Sequence, residues 1–232
     1  MRGYGKAALV AALLLSPAAL AGHEPVLAAE QSPPPSSVPS PTAAEPAHID
    51  GFRSAQWGMT DAQVKAAITK DFNIAPDKVE NEENRAERTT SLGVTVPGLV
   101  EGAGSARVTY IFGYTSKKLI QVNILWGRPV DLQASAENIV AAANELRQLF
   151  VDSGYDPATV ITNAKMSDGS ILVFQGQDAD KHTTVLRLKS DTVTPPSRGG
   201  KPEKPVVTAS LSLSYILDAH TPDIFRLKKG QF

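Results

Sequence analysis

The chain contains no cysteine among its 232 residues. That absence excludes disulfides, thiolate metal sites, thiol nucleophiles and a cysteine-attached lipid. Aromatic residues supply only 6% of the chain. Beyond the first twenty residues no apolar run approaches the ~20 residues that cross a bilayer as a helix. An excess of either charge is also missing. Lys and Arg number 23 against 24 Asp and Glu, for a formal charge of −1. Phosphate neutralisation needs a concentrated basic face, so nucleic acid is not an expected partner.

What is present begins with an export pattern. Arg2 and Lys6 form a positive start, Ala7 to Leu15 an apolar stretch, and Ala19-Leu20-Ala21 a small-residue cleavage motif. Residues 1–21 therefore read as a secretory signal peptide. The spacing implies cleavage after Ala21, a periplasmic or secreted location, and no transmembrane segment in the mature chain. Residues 22–48 read as a disordered spacer. Seven prolines fall between Pro25 and Pro46, Pro33-Pro34-Pro35 among them, and proline favours extended chain with no core.

Residues 49–232 read as a single domain. Thr60 is a good N-cap, Gln63 completes a capping box, and Met59 with Val64 forms a hydrophobic staple. The first helix is expected over Asp61–Phe72, with Val64, Ala67, Ile68 and Phe72 on one face. A second helix is expected over Leu132–Asp152, with Asp131 as its N-cap and Gly154 as its stop. Its apolar stripe is Leu132, Ala136, Ile139, Val140, Ala143, Leu146, Leu149 and Phe150. Strands follow each helix: Arg88–Val96, Ser105–Phe112 and Lys118–Trp126 in one half, Ser170–Gln175, His182–Ser190 and Val207–Leu217 in the other. Asp77–Arg88 reads as a charged loop, and Asp191–Pro205 as a long one. Such segregated strands and helices give an α+β class, an antiparallel sheet with two main helices on one face. The order also admits two helix-plus-meander halves, with no residue-level identity between them.

The motif Gly51-Phe52-Arg53 with Trp57-Gly58-Met59-Thr60-x-x-Gln63-Val64 resembles the opening of small, uncharacterised exported bacterial proteins. More distantly, Gly58-Met59-Thr60-x-x-Gln63-Val64 is similar to the helix-opening signature of the small lipoprotein of the outer-membrane barrel-assembly machinery. That fold is shared with proteinaceous β-lactamase inhibitors. The resemblance implies an envelope location and a non-catalytic α+β scaffold. The chain lacks that lipoprotein's lipid-accepting cysteine and its glycine-x-proline after the first helix.

No chemistry stands out along the chain. His23, His48, His182 and His220 show no metal-site spacing such as H-E-x-x-H. Gly102-Ala103-Gly104-Ser105 lacks the Lys and the following helix of a phosphate loop. Asp178-x-Asp180 lacks the remaining ligands of a calcium loop and reads as a hairpin turn. Glu80, Glu82, Glu83 and Glu87 read as a solvated face, Arg226-Leu227-Lys228-Lys229 as a small basic patch, and Trp57 and Trp126 as core. Accordingly no catalytic, cofactor-binding or metal-ligating residue is nominated, and no cofactor. The expected function is a non-catalytic binding or interaction protein, its partner a protein or a cell-envelope component. The alternatives are an exported hydrolase of envelope material, which needs a cleft with two convergent titratable groups, and an inhibitor docking its sheet on a secreted enzyme.

Overall fold

The computed structural model describes residues 45–194, 204–227 and 230. The expected signal peptide, all but the last residues of the expected spacer, the middle of the 191–205 loop and Lys228-Lys229 lie outside the described residues. Residues 43–232 form one compact unit. The fold is α+β: two helices and an eight-stranded antiparallel sheet, with a small two-stranded ribbon in front.

The ribbon pairs β1 (Gly51–Phe52) with β2 (Ala55–Gln56). Helix α1 (Asp61–Phe72) opens on the expected capping box. The Gln63 N–H donates to Thr60 Oγ1, and the Thr60 N–H donates to Gln63 Oε1 at 2.9 Å. The helix closes on Asn73, whose left-handed φ of 54° suits a short polar side chain. Then come β3 (Glu80–Asn84), β4 (Thr89–Pro97), β5 (Ser105–Phe112) and β6 (Leu119–Gly127). Helix α2 (Ala136–Val151) and strands β7 (Ile161–Lys165), β8 (Ile171–Gln177), β9 (Thr183–Val193) and β10 (Val206–Ile216) repeat that order.

In space the sheet runs β3-β4-β5-β6-β10-β9-β8-β7. Each half is a helix followed by a four-stranded meander, and the last strands of the two meanders meet antiparallel at the centre. Four strands per half, rather than three, corrects the expected pattern. The two unexpected strands, β3 and β7, are the two edges of the sheet. Both are exposed along nearly their whole length, so neither carries the apolar alternation by which a half-buried strand is read. β3, Glu-Asn-Glu-Glu-Asn, lies where the charged loop was expected. Its charges protect an edge that would otherwise offer unpaired backbone groups to another chain.

One face of the sheet holds the core. Val64 and Ile68 of α1, Ile139, Ala143 and Phe150 of α2, and alternate residues of β4, β5, β6, β9 and β10 form one buried cluster. Trp126 belongs to it, whereas Trp57 is half-buried and packs against it. Helix α1 lies over β4, while α2 lies over β10, β9, β8 and β6.

Helix α2 starts four residues later than the apolar stripe implies. Its N-cap is Ser135, whose Oγ accepts the Asn138 N–H at 3.2 Å. Asp131 works elsewhere: it accepts the Gln133 N–H at 2.9 Å and the Ser105 N–H at 3.2 Å. It thus ties the β4–β5 loop to the approach to α2, and those backbone donors lower its pKa. Leu132, expected in the stripe, is 72% exposed, and Val140 and Leu149 are exposed as well.

A second strap closes the far end. Asp223 in the C-terminal tail accepts N–H donors from Thr115 and Ser116 of the β5–β6 turn at 2.9 and 2.8 Å. Burial pulls the Asp223 carboxyl upward, but those N–H groups and the neighbouring hydroxyls outweigh it and hold the pKa at about 2. Arg88 lies 3.8 Å over the Phe225 ring, and the Phe225 N–H donates to Glu87 O.

Two outcomes follow. Leu211→Ala on central β10 should cost ~3 kcal/mol in urea unfolding, whereas Leu132→Ala should stay within ~0.5 kcal/mol of wild type. The Asp223 strap has a depressed native pKa. Its stabilisation is therefore present above the unfolded carboxyl value of ~3.9 and is lost as pH falls towards about 2. Thermal melts of Asp223→Ala should lie below wild type at pH 7 and converge with it near pH 2.

Candidate functional site

The helices cover one face of the sheet, and among the described residues no helix or strand covers the other. Strands β5, β6, β10 and β9 present half-buried positions there. One row crosses all eight strands: Glu80, Gly93, Thr109, Asn123, Ser214, Val185, Gln175 and Ile161. The next row runs Thr95, Arg107, Leu125, Ser212, Arg187 and Leu172. Seven strand spacings of ~4.8 Å make the face roughly 34 Å wide. Its middle is small and neutral. Gln121 Nε2 donates to Asn123 Oδ1 at 2.8 Å, and Ser210, Ser212 and Ser214 line β10.

Two arginines flank that neutral centre symmetrically. Arg107 on β5 and Arg187 on β9 sit one strand outside the central pair, so their Cα atoms are ~14 Å apart. Each is anchored on its outer side. Arg107 Nη2 meets Glu80 at 2.6 Å and Glu82 at 2.8 Å. Its guanidinium lies across Gly93, where any Cβ would collide with it. Arg187 Nη2 meets Asp168 and Ser170 Oγ, both at 2.9 Å, and its Nε is buried without a partner. Glu80 is lowered in pKa by its hydrogen bond to Arg107, and Asp168 first by Ser170 and then by Arg187. Arg107 thus lies across the sheet at Gly93, and Arg187 is fixed by Asp168 and Ser170.

A second constellation joins residues that the sequence scatters. The packed chain reaches back past Ile49: Ala47 is buried, and its N–H donates to Gly154 O at 2.9 Å. Gly154, with φ of 74°, has no room for a Cβ beside Glu45 O. The leading segment is then clasped by the β8–β9 turn. Buried Asp178 accepts the Ile49 N–H at 2.8 Å, the Asp180 N–H at 3.0 Å and the His182 N–H at 2.8 Å. Its Oδ2 also lies 3.0 Å from His182 Nδ1. His48 sits outside, with Nε2 2.9 Å from Asp50 and Nδ1 3.1 Å from Asp180. Trp57 Nε1 donates to Ile49 O at 2.6 Å. Open grooves of about 620 and 590 Å³ adjoin the segment, and Pro46 and Tyr155 line both.

His48, Asp178 and Asp180 place one ligand-type atom each within 4.8 Å of one another. The geometry suits a clasp better than a metal or a catalytic base. All four lone-pair positions of Asp178 already have partners, so a cation would have to displace backbone donors or His182. Both His48 nitrogens face carboxylates, leaving none to take a proton from a hydroxyl. The Asp178-x-Asp180 turn was legible in the sequence. Its meeting with His48, 130 residues away, was not, because no local spacing records a tertiary contact. His220 stays apart, in the exposed tail. The Gly102–Ser105 loop is used to seat buried Ala103 and bond Asp131.

Removing the Asp178 carboxylate strands several donors at once. Asp178→Ala should cost ~3 kcal/mol or more in urea unfolding, at ~1–3 kcal/mol per unsatisfied buried group. Limited proteolysis should then cut first around residues 45–50. His48→Ala, exposed on both sides of its ion pairs, should cost under ~1 kcal/mol.

Comparison of the chain with protein-family models, with curated proteins and with solved structures finds no match in any of the three.

Proposed function

We propose that the chain is an exported, non-catalytic binding protein that meets a protein or cell-envelope partner with its uncovered sheet face. The observation that carries this reading is the face itself: eight strands wide, neutral at its centre, with Arg107 and Arg187 fixed in one row. At roughly 34 Å by 25 Å it offers ~800 Å², one partner's share of a standard protein–protein interface. Arginine is enriched at such interfaces, and a pre-anchored side chain loses little freedom on binding. The export pattern of residues 1–21 and the likeness of Gly51–Val64 to small exported bacterial proteins support an envelope location.

Two measurements test the reading. Mass spectrometry of the protein from the envelope fraction of its producing cell should give a mature chain beginning at Gly22. The same extract should yield one stoichiometric partner on immobilised wild type. Leu125→Asp with Ser212→Asp should lose that partner, while Glu145→Lys on the exposed side of α2 should keep it. Equal recovery by the face variant, or an unprocessed cytoplasmic chain, would sink the proposal. Inhibition of a recovered enzyme at one equivalent would narrow the reading to an inhibitor.

A further inference from the structure

The opposite, helix-covered side of the sheet carries a feature that the sheet-face reading does not use. Where the two halves meet, α1 and α2 lie over different strands, and the gap between them is not fully filled. A cavity of about 110 Å³ remains there. Its floor is Ile124 and Trp126 of β6 with Leu213 and Tyr215 of β10; Leu146 of α2 forms a wall, and Arg53 reaches it from the β1–β2 turn. The lining is mainly apolar.

One buried polar group at this cavity has no protein partner, and one exposed cation beside it has no carboxylate partner among the described residues. Trp126 is 2% exposed, and its indole N–H donates to nothing. The other tryptophan shows the contrast, since Trp57 Nε1 is bonded to Ile49 O. Buried donors are rarely left unpaired without a reason. Arg53 holds a left-handed backbone, φ of 55°, and its guanidinium lies 4.8 Å from the Phe72 ring centre. Among the described residues Arg53 forms no ion pair. Asp71, on the neighbouring helix, is already held by the Ser54 N–H at 2.9 Å.

From this juxtaposition we infer that the cavity is a binding site for a short-chain carboxylate, its tail on Ile124, Leu146 and Leu213 and its oxygens answering Trp126 and Arg53. Size sets the tail. At ~10–15 Å³ of water-sized space per group, 110 Å³ admits about seven to eleven non-hydrogen atoms, and pentanoate has seven. Apolar cavities of ~150 Å³ take up benzene, so this scale of void is enough to bind a ligand. Chemistry sets the head: an indole N–H and a guanidinium are both donors, and a carboxylate is acceptor-only when ionised.

The test uses the full mature chain at pH 7 with pentanoate as probe and pentan-1-ol as its neutral counterpart. Trp57→Phe leaves Trp126 as the only tryptophan, and its emission should change saturably with pentanoate. Calorimetry on the wild-type chain gives the same constant without relying on that variant. Half-saturation should come at about tenfold lower concentration for pentanoate than for pentan-1-ol, and Arg53→Gln should erase the difference. Val100→Phe, from the loop that borders the cavity, should abolish binding of both while the chain stays folded. Three results would overturn the inference. One is no saturable signal in either assay, which leaves a cavity holding water only. Another is pentanoate binding that survives Val100→Phe. The third is equal affinity for acid and alcohol.

Discussion

The structure depends on the antiparallel pairing of β6 with β10. These are the last strands of the two meanders, and seven residue pairs join them, from Ser210 with Gly127 to Ile216 with Gln121. Without that junction each half would be a four-stranded sheet with a raw central edge and one helix, too little to enclose a core. With it, Leu211 and Leu213 stand beside Trp126 and Ile124, and both helices share one buried cluster. Pairing strands some ninety residues apart costs chain entropy before it returns anything. The gain comes from apolar burial on the helix side, at ~25 cal/mol for each Å² removed from water.

That junction also arranges the two faces. On the uncovered side it brings Arg107 and Arg187 into one row, each one strand from the centre, though no feature of their local sequences relates them. Their anchors come from different elements: strand β3 for Arg107, the β7–β8 turn for Arg187. On the covered side the same junction leaves the two helices apart. The space between them is closed only partly by the β1–β2 ribbon and the β4–β5 loop, which is why the cavity lies over β6 and β10. The Asp178 clasp then fixes the leading segment against the second half, so that the ribbon is held from its far end as well.

Much of the architecture was legible because it obeys local periodicity. Helix α1 starts and stops where Thr60 and Asn73 dictate, since capping is decided within a few residues. Strands β5, β6, β9 and β10 alternate between a wet and a dry face over most of their length, and their sequences carry that alternation, while β8 was legible as a short apolar run. Strands β3 and β7 were not legible, because an edge strand wet on both sides has no alternation to show. The start of α2 was misplaced because Leu132 continues the apolar stripe in sequence yet lies in a loop bound by Asp131.

Local sequence set the class of the fold, the buried face of α1 and six of the eight strands of the main sheet, all of which rest on interactions within a few residues; the apolar stripe read for α2 included Leu132, Val140 and Leu149, which are exposed. Tertiary structure alone decided what lies side by side. The meeting of His48 with Asp178 and Asp180, the Arg107–Arg187 row, and the cavity between Arg53 and Trp126 each join residues at least seventy positions apart. Such contacts are set by which strand edges pair and which faces pack, and that choice is made by the whole core at once. The opening stretch Gly51–Val64 shows both levels. Its capping box is local, while the place of Phe52 and Arg53 over the central strands exists only because β6 found β10.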